Sequence, residues 1–310
     1  MGAMGYCSPV LTLPSNLVAF VLRFKRVNRV FTTAEGARRR VRERELHPAS
    51  HVPPRRLRSD VRVDVIDDSW PIYTISPRNG GPTGRVVYVH GGGWVNEISP
   101  QHWHLAAQIA AEANTVVTLP IYPLVPHGTS ARVVDWIVGL ILRDTERFGT
   151  TPLLAGDSSG GQIALSAALR LRDTHHVTLP RTILISPALD LSWSNPRIPA
   201  VQPSDPWLAT PGGKVLAELW RGNDELLDPI VSPLSGDLEG LGPITLFTGT
   251  RDILNPDAHL LAKKAIAAGV DVDLYEAPGQ LHVYPLLPTV VGREARATIV
   301  DSVRGSLPAR

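Results

Sequence analysis

The run Gly156-Asp157-Ser158-Ser159-Gly160-Gly161 holds a serine with a glycine two residues to either side. It follows the apolar run Pro152 to Ala155 and opens a helical pattern that begins at Gln162. A serine in such a strand-to-helix turn can be projected above the sheet edge as a nucleophile, the glycines leaving room for the tight backbone. The plainer alternative is a Gly-Ser loop capping the helix through Asp157 or Ser158. A second segment weighs on the choice: Val86 to Val89 leads into His90-Gly91-Gly92-Gly93-Trp94. Acyl transfer to serine generates a tetrahedral oxyanion that needs preorganised N–H donors, and glycine backbone can offer them unobstructed. Such a loop, with the N–H of Ser159 after the nucleophile, makes that hole. A phosphate-binding loop is the rival, but neither a Walker pattern nor Gly-x-Gly-x-x-Gly ahead of a helix is present.

A serine nucleophile needs a base, and the base an orienting carboxylate. On a strand-turn-helix scaffold their chain order is Ser, then Asp or Glu, then His. Asp252 stands just past the run Ile244 to Thr248, and His282 in the loop after the run Val272 to Tyr275. Both fall on the sheet edge expected for Ser158. Asp257 competes for the acid role but opens a helix. His259 lies within that helix, and His175-His176 in a polar loop. His102, His104 and His127 precede the serine and fit the order poorly.

The elements that must position these groups are legible as period. Val61 to Asp67 alternates and can pair with Pro71 to Ile75 as a hairpin. Apolar runs at Arg85–Val89, Thr115–Ile121, Pro152–Ala155, Arg181–Ile185 and Ile244–Thr248, with Val272–Tyr275 last, suit strands buried on both faces. Helical periodicity separates them, at 102–113, 131–148, 162–171, 256–268 and 292–303. Alternating strand and helix means an α/β sheet with right-handed crossovers. About fifty residues between Ile185 and Ile244 exceed a simple crossover. Rich in Pro and Trp, with a helical stretch from Pro211 to Trp220, they read as an insertion over the sheet, a lid or cap.

Composition bounds the rest. With 43% apolar and 19% charged residues over 310, wholesale disorder is excluded. Thirty-one Lys and Arg against twenty-nine Asp and Glu give no global pull toward nucleic acid, membrane or acidic substrates. Cys7 is the only cysteine, so a disulfide-stapled scaffold is excluded and a cytoplasmic location is expected. No run reaches the ~18 apolar residues of a spanning helix. The nearest, Leu11 to Leu22, is interrupted by Pro14, Ser15 and Asn16 and is followed rather than preceded by cations, unlike a signal peptide. Between Arg23 and Arg58 lie twelve Lys or Arg and three Glu. A polyanion- or membrane-binding arm is one reading. The favoured one is a solvated helix whose Leu17, Phe20, Val21 and Phe24 bury the opposite face.

Taken together, the His-Gly-Gly-Gly loop and the Gly-Asp-Ser-Ser-Gly-Gly turn about seventy residues later resemble the hormone-sensitive-lipase-like family of α/β-hydrolase esterases. The resemblance covers Arg85 to the C-terminus, and Val231-Ser232-Pro233-Leu234 looks like the family's segment after its inserted cap helix. It implies an α/β-hydrolase fold: a mostly parallel eight-stranded sheet flanked by helices. Residues 1–60 would form a helical cap segment and 61–310 the catalytic domain, with a cap insertion at about 192–230. It implies Ser158 as nucleophile, Asp252 as acid and His282 as base. Gly91, Gly92 and the N–H of Ser159 would be the oxyanion donors, with Gly93 the alternative to Gly91. Three departures stand out. Ser159 replaces the usual alanine, Ile121-Tyr122-Pro123-Leu124 stands where Asp-Tyr-Arg-Leu is frequent, and His282-Val283-Tyr284 replaces His-Gly-Phe. Val283 there would narrow or reshape the substrate pocket.

The expectation is therefore a serine carboxylic-ester hydrolase for short- to medium-chain esters, working through an acyl-enzyme without metal or organic cofactor. Trp94, Trp193, Trp207 and Tyr284 are candidates for an apolar substrate pocket, core packing being the competing explanation for each. An amidase or aryl-acylamidase would use the same triad. A non-catalytic ligand receptor on this fold would lack the base. A true lipase would need an extensive apolar lid, whereas the insertion carries Asp205, Lys214, Glu218 and Arg221. The expected partner is a small-molecule ester, with no nucleic acid, no stable membrane insertion, and a monomer or homodimer.

Overall fold

A computed structural model of the chain describes residues 13–307, so Cys7 lies outside the described residues. The eight runs are strands: β1 Val61–Asp67, β2 Pro71–Pro77, β3 Gly84–Val89, β4 Thr115–Pro120, β5 Leu153–Asp157, β6 Thr182–Ile185, β7 Ile244–Gly249 and β8 Val272–Ala277. They make one sheet in the order β1-β2-β4-β3-β5-β6-β7-β8. β1 and β2 form the antiparallel hairpin, β2 runs antiparallel to β4, and every pairing from β4 to β8 is parallel. This is the α/β-hydrolase architecture expected above.

The near-continuous apolar strands follow from burial on both faces. Successive residues point to opposite sides, so Val86 and Tyr88 enter one core while Val87 and Val89 enter the other. The first core is closed by α3, Pro100–Glu112, and α9, Val290–Gly305. The second is closed by α4, Ser130–Phe148, α5, Ser158–His175, and α8, Asn255–Ala267. After β3 the chain crosses to β4, then returns past β3 to β5. That reversal opens a crevice at the carboxyl ends of β3 and β5, where such sheets hold their ligands.

Over this edge lie two further pieces. The N-terminal piece comprises α1, Ser15–Phe24, and α2, Ala34–Leu46. The long connection after β6 carries a short α6, Ile198–Val201, and α7, Thr210–Arg221. α2 packs on α7, and the N–H of Gly212 donates to the Phe31 carbonyl at 2.7 Å. The two pieces thus form one helical cap. No helix among the described residues is long and apolar enough to cross a membrane.

One expectation fails at α1. Its buried residues are Val18 and Ala19, with Leu22 half-buried beside them. Leu17, Phe20, Val21 and Phe24 all face outward, Phe24 at 80% exposure. The helix is apolar on two sides: at ~100° per residue the two stripes point roughly 150° apart. A three-and-four spacing finds either stripe equally well, and the sequence reading chose the wrong one.

Candidate active site

The parallel register sets the two glycine-bearing turns side by side, because Val89 of β3 lies opposite Gly156 of β5. Asp157 ends β5 in extended conformation, and Ser158 opens α5 at φ +51°. A side chain in that left-handed region costs about 1–3 kcal/mol and persists only where its surroundings enforce it. Here the enforcement is close packing of backbone: a Cβ at Gly160 would meet the carbonyl oxygens of Val89 and His90. The turn lifts Ser158 half-clear of the sheet while Ser159 is buried beneath it.

The other two loops meet by the same means, since Gly249 of β7 lies opposite Ala277 of β8. His282 Nε2 is 2.9 Å from Ser158 Oγ, and its Nδ1 is 2.8 Å from Asp252 Oδ2. Asp252 is fully buried, and its Oδ1 accepts the N–H of Leu254 at 2.9 Å. Imidazole bonded on one nitrogen to a hydroxyl and on the other to a buried carboxylate can take the hydroxyl proton during attack. Burial pulls the His282 pKa down, but the charge and hydrogen bond of Asp252, with Asp205 and Asp157 beyond, outweigh it and raise the pKa above 6.5. Asp257 does not reach this histidine. It sits in the first turn of α8, accepts from Asn195 Nδ2 at 2.7 Å, and is pushed up to about 6 chiefly by burial. That bond ties the insertion to α8.

The glycine loop corrects one donor. The N–H of Gly91 is turned inward and donates to Asp157 Oδ1 at 2.9 Å. Asp157 also accepts from the Tyr88 hydroxyl at 2.8 Å and faces His102 Nε2 at 3.2 Å. His102 Nδ1 accepts the Ser99 N–H, so Nε2 carries the proton toward Asp157. Gly91 is therefore committed to holding the loop on the serine turn. Gly93 donates to Ser159 Oγ at 3.0 Å, a bond the usual alanine could not accept. Among the described residues, the N–H groups of Gly92 and Ser159 have no protein acceptor. Gly92 sits at φ +140°, its carbonyl accepting both N–H and Nδ2 of Asn96 at 3.0 Å.

Of the four aromatic pocket candidates, Trp207 packs on the histidine of this constellation. Its ring meets that of His282 edge-on, centroids 5.8 Å apart. Trp94 is buried, stacks on Trp220 and donates its Nε1–H to Gln162. Tyr284 is buried in the core shared with α9. Trp193 packs its ring against Gly213 at the start of α7. These three are explained by packing.

Two residues went unnoticed as site elements. Asp205, one of the charged residues of the insertion, is only 6% exposed. Its Oδ1 accepts the N–H groups of Trp207 and Leu208 at 2.7 and 3.0 Å, and its Oδ2 that of Ile253 at 3.0 Å. It thus joins the cap to the loop that carries Asp252. Burial, then the like charge of Asp252, push its pKa up to about 6. The available signal was Asp205-Pro206-Trp207, a turn-forming aspartate that bonds backbone two and three residues on. Gln162 is the second. Its Oε1 accepts from Trp94 and Trp220, and its Nε2 donates to the Ile230 carbonyl at 2.9 Å, linking glycine loop, α7 and the end of the insertion.

Known proteins resemble this chain in both sequence and shape. A family model described as the alpha/beta hydrolase fold matches residues 86–286. A Mycobacterium tuberculosis protein named triacylglycerol lipase is 32% identical over 224 residues, which are 71% of this chain but only 46% of that protein. The chain thus spans about half the length of that relative. Carboxylesterase NlhH of the same organism is 30% identical over 292 residues, covering 86% of this chain and 88% of its own. A crystal structure from Staphylococcus aureus assigned as an esterase superposes with a TM-score of 0.84 at 26% identity, over 93% of this chain and 97% of that one.

Proposed function

Because the chain belongs to the α/β-hydrolase family, we propose that it is a carboxylesterase in which Ser158 is the nucleophile, His282 the base and Asp252 the acid. The hydrogen-bonded series from Ser158 Oγ through His282 to buried Asp252 carries the reading. Ser158 Oγ attacks the ester carbonyl as His282 Nε2 takes its proton. Asp252 keeps the other imidazole proton on Nδ1 and stabilises the positive charge that develops. The oxyanion falls to the N–H groups of Gly92 and Ser159. Collapse of the tetrahedral intermediate breaks the ester C–O bond, and the proton on Nε2 passes to the leaving alcohol. Water, deprotonated by the same nitrogen, then attacks the acyl group on Ser158, and the acid leaves with the serine hydroxyl restored. The similarity to the protein named carboxylesterase NlhH supports carboxylic esters as the substrate class, and we take the edge-on Trp207 and the overlying cap to favour short- to medium-chain ones.

A fluorophosphonate probe tests this directly. It should add one phosphonyl group per chain, at Ser158 by peptide mass spectrometry. Labelling elsewhere, or none by a folded protein that hydrolyses p-nitrophenyl butyrate, would refute the assignment. The matching p-nitroanilide should turn over far more slowly; a comparable rate would make the protein an amidase.

Two further results are expected. Gly92→Ala puts a side chain at φ +140° against the Asn96 carbonyl. The loop must shift and withdraw a donor, so kcat should fall by about 10²–10³-fold with KM little changed. A rise in KM with kcat unchanged would remove Gly92 from the oxyanion site. The second concerns pH. His282 must be neutral to accept a proton, so kcat/KM rises with pH through its pKa, which lies above 6.5. Asp205→Asn removes a negative charge that holds this pKa up, so the acidic limb should move to lower pH. The amide also turns a donor toward the Ile253 N–H and should cost about 1–3 kcal/mol of stability. An unmoved limb would reduce Asp205 to a structural clamp.

A further inference from the structure

The outward stripe of α1 is apolar surface that nothing among the described residues covers. Leu17, Phe20, Val21 and Phe24 are 44%, 64%, 36% and 80% exposed, and the two phenylalanine rings stack with centroids 6.3 Å apart. Isolated exposed apolar residues are ordinary, but a contiguous aromatic stripe marks a surface built to meet something apolar. Directly behind it the chain turns strongly basic. A concavity of about 710 Å³ between the end of α1 and the face of α2 is lined by Lys25, Arg26, Arg29, Arg39 and Arg40, against the single acid Glu43. Glu43 is engaged by Arg40 at 3.5 Å. Among the described residues no carboxylate lies within ion-pair distance of Lys25, Arg26, Arg29 or Arg39.

We propose that this N-terminal face, the apolar stripe of α1 with the adjoining cationic concavity, is a docking surface for an anionic phospholipid bilayer. A helix lying in the plane of the interface buries aromatic and aliphatic side chains at the headgroup boundary while neighbouring cations meet lipid phosphates. A second protein copy fits less well, because the same five cations would face themselves across a twofold interface. The face is also joined to the catalytic loops. Ser15 Oγ donates to Gln280 Oε1 at 2.8 Å, two residues before His282, and the Leu13 N–H donates to the Pro288 carbonyl at 2.7 Å. Docking would therefore engage a helix that is bonded to the loop carrying His282. The proposal concerns binding and does not depend on the esterase reading.

The test is co-sedimentation of the full-length protein with sucrose-loaded vesicles of phosphatidylcholine and phosphatidylglycerol, 1:1, beside pure phosphatidylcholine, at low and physiological salt. Binding to the anionic vesicles alone, weakened by salt, is expected. Phe20→Ser with Phe24→Ser, and separately Lys25→Glu with Arg29→Glu, should each lower the partition coefficient by about ten-fold or more. Both variants change exposed side chains, so circular dichroism and hydrolysis of soluble p-nitrophenyl butyrate should be unchanged. Absence of binding to anionic vesicles, or binding retained by both folded variants, overturns the proposal. So does sedimentation equilibrium showing a dimer that the phenylalanine variant dissolves while wild type ignores vesicles, which would assign the face to a second copy.

Discussion

Ser158→Ala should lower kcat/KM for p-nitrophenyl butyrate by about 10⁴-fold or more while leaving the fold intact. The substitution removes one oxygen atom, and alanine meets the same left-handed backbone at φ +51° that serine already tolerates. Stability should therefore change little. The residual rate is informative. Gly92 and Ser159 would still offer their N–H groups, and such donors with substrate binding alone retain about 10³–10⁴-fold catalysis over water in serine hydrolases. Turnover within about ten-fold of wild type would place the nucleophile elsewhere. The measurement needs a burst-free steady state and a check that the variant no longer takes up the fluorophosphonate probe.

Asp252→Asn should cost about 10⁴-fold in kcat with the geometry of the site unchanged. The reason lies in the second oxygen of Asp252, which accepts the Leu254 N–H. In the asparagine variant that bond fixes the amide oxygen toward Leu254 and turns the NH₂ toward His282. Imidazole must then accept at Nδ1 and carry its proton on Nε2, the nitrogen that faces Ser158. A protonated Nε2 cannot receive the serine proton. Asp205→Asn supplies the contrast, since Asp205 is not the acceptor of the His282 Nδ1 proton and its loss leaves the tautomer correct. If both variants gave the same modest loss, Asp252 would be an electrostatic neighbour and the acid role would need another residue.

Much of this arrangement was legible before the structure. Buried strands of a parallel sheet are apolar on both faces, so the runs at β3, β5, β6 and β7 announced themselves. The chain order of serine, acid and histidine, with positions just past strand ends, singled out Asp252 and His282 as candidates. What escaped depends on contacts between distant segments. That Gly91 spends its N–H on Asp157 is a product of the β3–β5 register. That Asp205 is buried is decided by the Asp252 loop, some fifty residues downstream. Trp94 and Tyr284 have the composition of pocket residues and the surroundings of core ones. At α1 the period was correct but degenerate, with apolar residues on both sides of a short helix.

The sheet topology also orders events in time. The proposed nucleophile, Ser158, follows β5, but the proposed base, His282, follows β8, an outer strand of the sheet. Leu13 and Ser15 then bond to Pro288 and Gln280, a sequence separation of 265 residues for the second pair. Pairings so distant in sequence form late, once the long loops between them have closed. A folding chain can therefore hold its serine turn fully formed and still lack the histidine partner until β8 and the loop after it are in place. In a refolding experiment, helix content should recover first and ester turnover last, when the α1 segment and the loop after β8 come together.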